Sequence, residues 1–448
     1  VIALIQKLLI ANRGEIASRI IRTCREQGIQ TVAVYSQADL EMPFVKMADE
    51  SYLIGEPPVA KSYLQMDTMI DVAKKACADA IHPGYGLLSE NATFAQKVLD
   101  AGLIWVGPKP SVIAQMGDKV MARQMMIEAK VPVVPGSEEI VTWEEAVHIA
   151  NQIGYPVLLK ASAGGGGVGM VLCHSDHDLE KHFATTQKRA EMYFGSSAVF
   201  LEKFLERSRH IEVQVLADQH GNALHLFERE CSVQRRNQKM IEESLSPSIS
   251  QEARERLYQA ALQAVHAVGY YGAGTVEFLV DQQENCYFIE MNTRLQVEHP
   301  VTEAITGLDL VSWQLAIAKE KALPWKQTDL QPQGHAIEYR LYAEDPVTFF
   351  PSPGKIEVFS FPEGDGIRFD AGVEAGNTIT PFYDPMIAKC IISGSSREEV
   401  LAKSRETFAQ MKIEGIKCNL PLLVELLDHP DFVSGKYDTT ILANRKGK

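Results

Sequence analysis

Residues 160–170 read KASAGGGGVGM, and the residues after the glycines decide how the middle of this 448-residue chain folds. Gly164, Gly166 and Gly169 satisfy the spacing G-x-G-x-x-G, but that fingerprint marks a dinucleotide site only where it opens a helix. Here it runs into MVLCHS, 170–175, which alternates like a strand, and no G-x-x-x-x-G-K-[ST] occurs anywhere in the chain. Glycines between two strands predict a flap whose backbone N–H groups can close over phosphates with no Cβ in the way. From the loop alone a mobile surface hairpin is an equal reading. Lys160, on a strand at the loop's entrance, tips the balance, because its ammonium can meet the same phosphates.

The flap belongs to a small unit from about residue 132 to 205, with helix TWEEAVHIANQIG, strand YPVLLKAS, the glycines, strand GMVLCHS, a further helix and strand AVFLEKFL. Ahead of it, KLLIANRGEIASRIIRTCREQGIQTVAVYS reads as strand, loop, helix, strand, and DTMIDVAKKACADAIHPGYG and AGLIWVGP repeat the alternation. This predicts a parallel sheet covered by helices over roughly residues 1–116. HPGYG at 82–86 is a Gly/Pro turn at a strand end, a ligand loop or a plain turn. A helical stretch from Ser111 to Ala129 then leads to VPVVPG, whose prolines mark a boundary. Beyond residue 205 come antiparallel pairs: HIEVQVLAD with ALHLFERE around QHGN, and GTVEFLVD with CYFIEMN around QQEN. LQPQGHAIEYRLYAEDP opens a third region of short strands to about Ile392, closed by a helix near Arg397 to Lys412.

Composition narrows the function classes. With 46% hydrophobic and 23% charged residues and no apolar run long enough to cross a bilayer, the expectation is a soluble protein without a secretion signal. A net charge of −14 excludes a broad nucleic-acid surface, which needs a basic face, but leaves room for a small anionic substrate where cations are concentrated. The seven cysteines are scattered and form no C-x-x-C, which predicts reduced thiols in the cytoplasm, most of them core filler.

Residues 290–300, EMNTRLQVEHP, carry the chemistry. If they are extended, the period of two puts Glu290, Asn292, Arg294, Gln296 and Glu298 on one face and Met291, Thr293, Leu295 and Val297 on the other. Glu277 lies on the strand predicted to pair with this one. Two close carboxylates repel unless a proton or a cation relieves them, and a hard divalent ion with oxygen ligands does so. On the residues alone, solvated acids at a strand end and an Arg–Glu ladder are the simpler readings, though they leave five consecutive polar positions on one face unexplained.

Strand-borne Lys160, the flap, FLEKFL, the strands of Glu277 and Glu290, and EMNTRLQVEHP together resemble the biotin carboxylase members of the ATP-grasp superfamily. The likeness runs nearly end to end, through IANRGEIA, HPGYGLLSENATFA, MGDKVMAR, RHIEVQV, RECSVQRRNQK, GAGTVEF, EMNTRLQVEHPVTE, AEDP and YDPMIAK. It implies a mixed α/β and α+β fold: a Rossmann-like N-terminal domain (1–116), an ATP-grasp domain (117–334, its lid about 132–205) and a β-rich C-terminal domain (335–448).

The implied reaction is ATP- and bicarbonate-dependent carboxylation of biotin at N1 through carboxyphosphate, with Mg²⁺ or Mn²⁺. By resemblance, Glu277, Glu290 and Asn292 hold the metal; Lys119, Lys160, Gly166, Gly167, His210, Gln234, Asn237, Glu277 and Glu290 attend the nucleotide; and Glu202, Lys203, Phe204 and Leu205 form the adenine-binding segment, where backbone groups read the base. Lys239, Arg294, Gln296 and Val297 are implied to hold bicarbonate, Glu298 to take its proton, and Arg340 to stabilise the biotin enolate.

Three positions depart from the family pattern: Val168 stands where the flap usually has Arg or Lys, Ala163 where it usually has Gly, and Asn237 where His is frequent. Losing a flap cation predicts weaker closure over ATP. QMKIEG, 410–415, lacks the Ala-Met and Met that flank a biotinyl lysine, so Lys412, read at a helix end, is structural. The implied partners are therefore a biotin carboxyl carrier protein or domain and a carboxyltransferase that decides the final acceptor, with a homodimer by likeness to bacterial subunits. The competing readings are another ATP-grasp ligase that activates a carboxylate for an amine, and a nucleotide-binding subunit with impaired turnover.

Overall fold

The computed structural model describes residues 4–140, 142–162 and 170–443. The flap glycines, together with Ala163 and Val168, lie outside that set. The N-terminal region is a five-stranded parallel sheet in the order Glu50–Gly55, Gln30–Ser36, Lys7–Ile10, Ala80–His82, Ile104–Trp105. Its central strand is short and fully apolar inside, with Leu8, Leu9 and Ile10 buried, as a strand covered on both faces must be. The 82–86 turn is fastened to the first loop by Asn12, whose amide donates to the carbonyls of Pro83 and Tyr85, both at 2.7 Å. Gly84 is required there: it sits at φ +63°, and a Cβ would lie 2.8 Å from the Asn12 nitrogen.

The predicted small unit is a three-stranded antiparallel sheet with Val157–Ala161 between Met170–Cys173 and Val199–Lys203, backed by helices Trp143–Ile153 and Asp176–Phe194. The stretch from Ser111 to Ala129 forms two helices, Pro110–Gly117 and Lys119–Glu128. Asp118 breaks it because its carboxylate caps the second helix, accepting from the N–H groups of Val120 and Met121.

The body of the molecule is an eight-stranded antiparallel sheet in the order Cys286–Asn292, Gly272–Val280, Arg209–Ala217, Ala223–Arg235, Gln238–Ser244, His335–Tyr342, Met386–Gly394, Ile367–Ala371. It runs without interruption from the central region into the C-terminal one, since Gln238–Ser244 pairs directly with His335–Tyr342. Ile211, Val213, Val215, Val276 and Phe278 pack one face against the long helix Gln251–Val268. Helix His299–Thr306 lies across the other face. In the C-terminal region, the helix begun at Arg397 ends at Gln410 rather than at Lys412. Lys412 instead opens a short strand, Lys412–Glu414, paired with Val358–Ser360.

The cysteines carry no disulfide: Cys24, Cys173, Cys231, Cys286 and Cys390 are buried, Cys418 is half-buried and Cys77 exposed. Among the described residues no helix is long and apolar enough to cross a membrane.

Candidate active site

The polar row begins as the alternation predicts and then departs from it. Glu290 lies directly opposite Glu277 on the neighbouring strand, and Asn292 opposite Thr275. The strand ends at Asn292, however, and residues 293–297 form a loop that turns into helix His299–Thr306, with Glu298 as its N-cap residue. Leu295 still anchors in the core and Gln296 and Glu298 still point inward, because the loop is held at both ends. Glu90 accepts from the Thr293 N–H at 3.2 Å and from the Arg294 Nε at 2.8 Å, and His299 contacts the Gln296 carbonyl at 2.7 Å. Arg294 therefore leans back along the strand, donating at 2.8 Å to Asn292 Oδ1.

The same row extends across the sheet onto residues that strand alternation alone does not single out. Arg229, Glu212, Glu277 and Glu290 stand opposite one another on four successive strands. Arg229 is completely buried and uses all five of its donors, on Glu212 (2.5 Å), Gln214 (2.6 Å), Thr302 (2.9 Å), Thr275 (3.0 Å) and Gln296 (2.9 Å). A fifth strand contributes Lys239 through a β-bulge. The pairing skips Met240 between Ile241 and Lys239, so Met240 and Ile241 share one core and Lys239 comes round to the polar face. Its ammonium reaches Glu212 at 2.5 Å, Glu298 at 2.7 Å and Glu277 at 3.0 Å. Arg340 approaches from the sixth strand, with Glu298 at 2.9 Å and Glu242 at 2.7 Å.

The electrostatics are set by this arrangement. Burial alone would raise the Glu298 carboxyl, but Lys239, Arg340 and Arg229 outweigh it and hold the group well below the usual carboxylate range. Glu277, likewise buried, is held low by Lys239 and His210, whose Nε2 lies 2.6 Å from its Oε2. Burial lifts Glu242 to about 7, since it shares Arg340 with Glu298. Lys239 stays protonated: burial opposes the charge, but Glu212, Glu277 and Glu298 raise its pKa well above the ordinary value.

Around this core stand the remaining predicted residues. Lys119 opens its helix with Nζ 3.8 Å from Glu290. Lys160 is paired with Glu202 across the lid sheet. The Lys203 ammonium donates to the carbonyls of Gly154 and Tyr155, both at 2.8 Å, and the N–H groups of Lys203 and Phe204 are taken by the carbonyls of Pro135 and Pro156. Of that segment's last three amides, only that of Leu205 donates to no backbone carbonyl among the described residues. Gln234 is half-buried opposite Lys239, and Asn237 is at the exposed tip of the same hairpin with φ +64°, a left-handed position that Asn tolerates. Gly166 and Gly167 lie outside the described residues.

For a divalent cation the donor set is suitable. Glu277 and Glu290 offer carboxylate oxygens from directly opposite positions, the hard-oxygen chemistry that Mg²⁺ or Mn²⁺ favours. Asn292 turns its amide N–H₂ toward Glu277 at 2.8 Å. A second close group, His210, Glu212 and Glu277, shares one of these acids.

Comparison with known proteins gives the same picture. Models of the biotin carboxylase N-terminal domain, the ATP-binding domain of the carbamoyl-phosphate synthase L chain and the biotin carboxylase C-terminal domain match residues 4–113, 118–326 and 338–444. A biotin carboxylase of Halalkalibacterium halodurans is 56% identical, over 98% of this chain and 97% of its own. A biotin carboxylase of Haemophilus influenzae is 49% identical, over 99% of this chain and 99% of its own. The biotin carboxylase domain dimer of Hydrogenobacter thermophilus 2-oxoglutarate carboxylase, solved with MgADP, ADP and bicarbonate, superposes with a TM-score of 0.96 at 46% identity, covering 98% of each chain. By its family matches, its relatives and its fold, the chain belongs to the biotin carboxylase family.

Proposed function

We propose that this chain performs the first half-reaction of a biotin-dependent carboxylase, the ATP- and bicarbonate-dependent carboxylation of biotin at N1. The observation that carries this reading is Glu298, a buried carboxylate shared by Lys239 at 2.7 Å and Arg340 at 2.9 Å at the mouth of a helix. A carboxylate held ionised by two cations is in the form a proton acceptor needs, yet too weak a base while both cations keep it. An incoming bicarbonate that draws Lys239 and Arg294 onto its own oxygens relieves Glu298 of one of them. Glu298 then takes the bicarbonate proton as the freed oxygen attacks the γ-phosphorus of ATP and ADP leaves. Carboxyphosphate breaks down to CO₂ and phosphate, the phosphate takes the proton from biotin N1, and the resulting enolate, with its oxygen against Arg340, attacks CO₂.

Lys119 and Lys160 neutralise the phosphates. Bound Mg²⁺ supplies further neutralisation of the transferred phosphoryl charge, and Glu277 and Glu290 would hold it. The biotin arrives on a carrier protein or domain, and a carboxyltransferase consumes the product. The dimeric Hydrogenobacter relative supports a homodimer, and the free thiols support a cytoplasmic setting.

The test is ADP release by purified protein with Mg²⁺ and ATP. Release should depend on both bicarbonate and free biotin, and Glu298→Ala should lower it about 10²- to 10⁴-fold while ATP still binds. Absence of biotin stimulation would sink the reading, and a rate with amine acceptors would replace it with a carboxylate–amine ligase.

A further inference from the structure

The sheet beside the site contains a lysine with no place in the chemistry above. Lys389, in the strand Met386–Gly394, is directly opposite Arg340 and is completely buried. Its ammonium donates to the Val297 carbonyl at 2.7 Å and lies 3.2 Å from Glu15 and 4.0 Å from Asp370. Burying an ammonium is costly unless its partners require it. Asp370 has closer partners of its own, Arg368 at 2.7 Å and Arg22, and Lys389 adds a longer-range attraction at 4.0 Å. Glu15, on the first helix, accepts from the Tyr85 hydroxyl of the 82–86 turn, and its second oxygen has no hydrogen-bond partner among the described residues. A neutral side chain at position 15 could serve Tyr85 equally well. Among the described residues the hydrogen bond this ammonium donates goes to the Val297 carbonyl.

That carbonyl belongs to the planar peptide joining Val297 to Glu298, so holding it fixes the backbone from which the Glu298 carboxylate projects. The preceding carbonyl, that of Gln296, is taken by His299 at 2.7 Å, and the Glu298 side chain makes no cap bond to its own helix. Two successive carbonyls are thus pinned from outside the loop, and the carboxylate is left to Lys239 and Arg340. We propose that Lys389 is a positioning residue for the bicarbonate step: it locks the Val297–Glu298 peptide and, through Glu15 and Tyr85, ties that lock to the 82–86 turn of the N-terminal region. The proposal rests on the role of Glu298 proposed above.

The test compares Lys389→Met/Glu15→Gln, which removes the buried charge pair together, with Lys389→Arg, which keeps the charge but replaces the compact donor with a planar fork. Each is followed by thermal unfolding and by bicarbonate-, ATP- and biotin-dependent ADP release. If Lys389 positions the peptide, the double variant keeps the wild-type unfolding midpoint while its KM for bicarbonate rises about tenfold or more and its KM for ATP stays within about twofold, and Lys389→Arg shows the same split. A bicarbonate KM within about twofold of wild type in either folded variant overturns the proposal. Loss of folding in both also overturns it, because Lys389 would then serve stability alone. Wild-type protein run in parallel separates the two claims: without bicarbonate-dependent release there, the proposed function itself has failed.

Discussion

Glu242 and Glu243 are consecutive residues of one strand, both completely buried, and they point to opposite faces of the sheet. Glu243 is enclosed by Arg397 at 2.7 Å and 3.0 Å, His335 at 2.6 Å and Tyr437 at 2.5 Å, and although burial opposes it, these donors hold its carboxyl down to about 2. Glu242 has Arg340 on one oxygen and, among the described residues, no donor on the other, shares that arginine with Glu298, and is lifted by burial to about 7. Directly opposite Glu242 stands Glu338, also buried, with no hydrogen-bond partner on either oxygen among the described residues. One face of the strand is a closed network that fixes the C-terminal helix and tail to the sheet. The other is under-partnered among the described residues, with one oxygen of Glu242 and both of Glu338 accepting from no donor.

The largest effect should come from opening the closed face. Glu243→Gln leaves Arg397 and His335 buried without their carboxylate, and should cost about 3–5 kcal/mol in denaturant unfolding at neutral pH. Because the folded-state pKa, about 2, is below the ordinary 4.5, the stabilisation is present above pH 4.5 and is lost as pH falls through 2. The gap between variant and wild type should therefore close on acidification, while the specific activity of the folded fraction stays close to wild type.

Glu242→Gln should go the other way. Its folded pKa, about 7, is above 4.5, so wild-type protein has the full benefit of the proton below pH 4.5 and loses it as pH rises through 7. The variant should match wild type near pH 4.5 and exceed it at pH 8 by roughly 1–3 kcal/mol, with Arg340 retained by Glu298. Equal losses in the two variants at pH 8 would abolish the contrast between the faces.

Much of this architecture was legible because strands announce themselves by alternation and their turns by Gly, Asn and Pro. The parallel N-terminal sheet, the lid and both hairpins come from that, and the QQEN turn paired the strands of Glu277 and Glu290, which the structure puts directly opposite each other. Other features were hidden for physical reasons. Alternation in residues 293–298 persists although the strand has ended, because Leu295 anchors a loop held from outside by Glu90, His299 and Lys389. Lys239, named by resemblance, reaches the site through a bulge, which breaks the period of two by which alternation would have located it. Glu212 and Arg229 sit on hairpin strands whose pattern does not single them out; the packing of helix His299–Thr306 across that face makes it an interior. Lys389, in MIAKCIIS, carries no local sign that its partners are Glu15, near the start of the chain, and Val297, 92 residues earlier.

The finest probe of the comparison is Glu338→Gln. Glu338 has Glu242 across the strand pair, and Arg340 and Lys389 within electrostatic reach, but those cations are engaged by Glu242, Glu298, Glu15 and the Val297 carbonyl. Burial, reinforced by Glu242, raises its carboxyl well above the ordinary range, so the folded protein carries it as the neutral acid. Replacing a neutral acid by a neutral amide of nearly the same shape should change unfolding free energy by less than about 1 kcal/mol at pH 6. The sign should match that of Glu242→Gln: as pH rises, wild type is asked to ionise a buried group that the variant lacks, so any difference must grow in the variant's favour. A loss at pH 6 as large as that of Glu243→Gln would mean that Glu338 is ionised and paired, and the open face would then be as closed as the other.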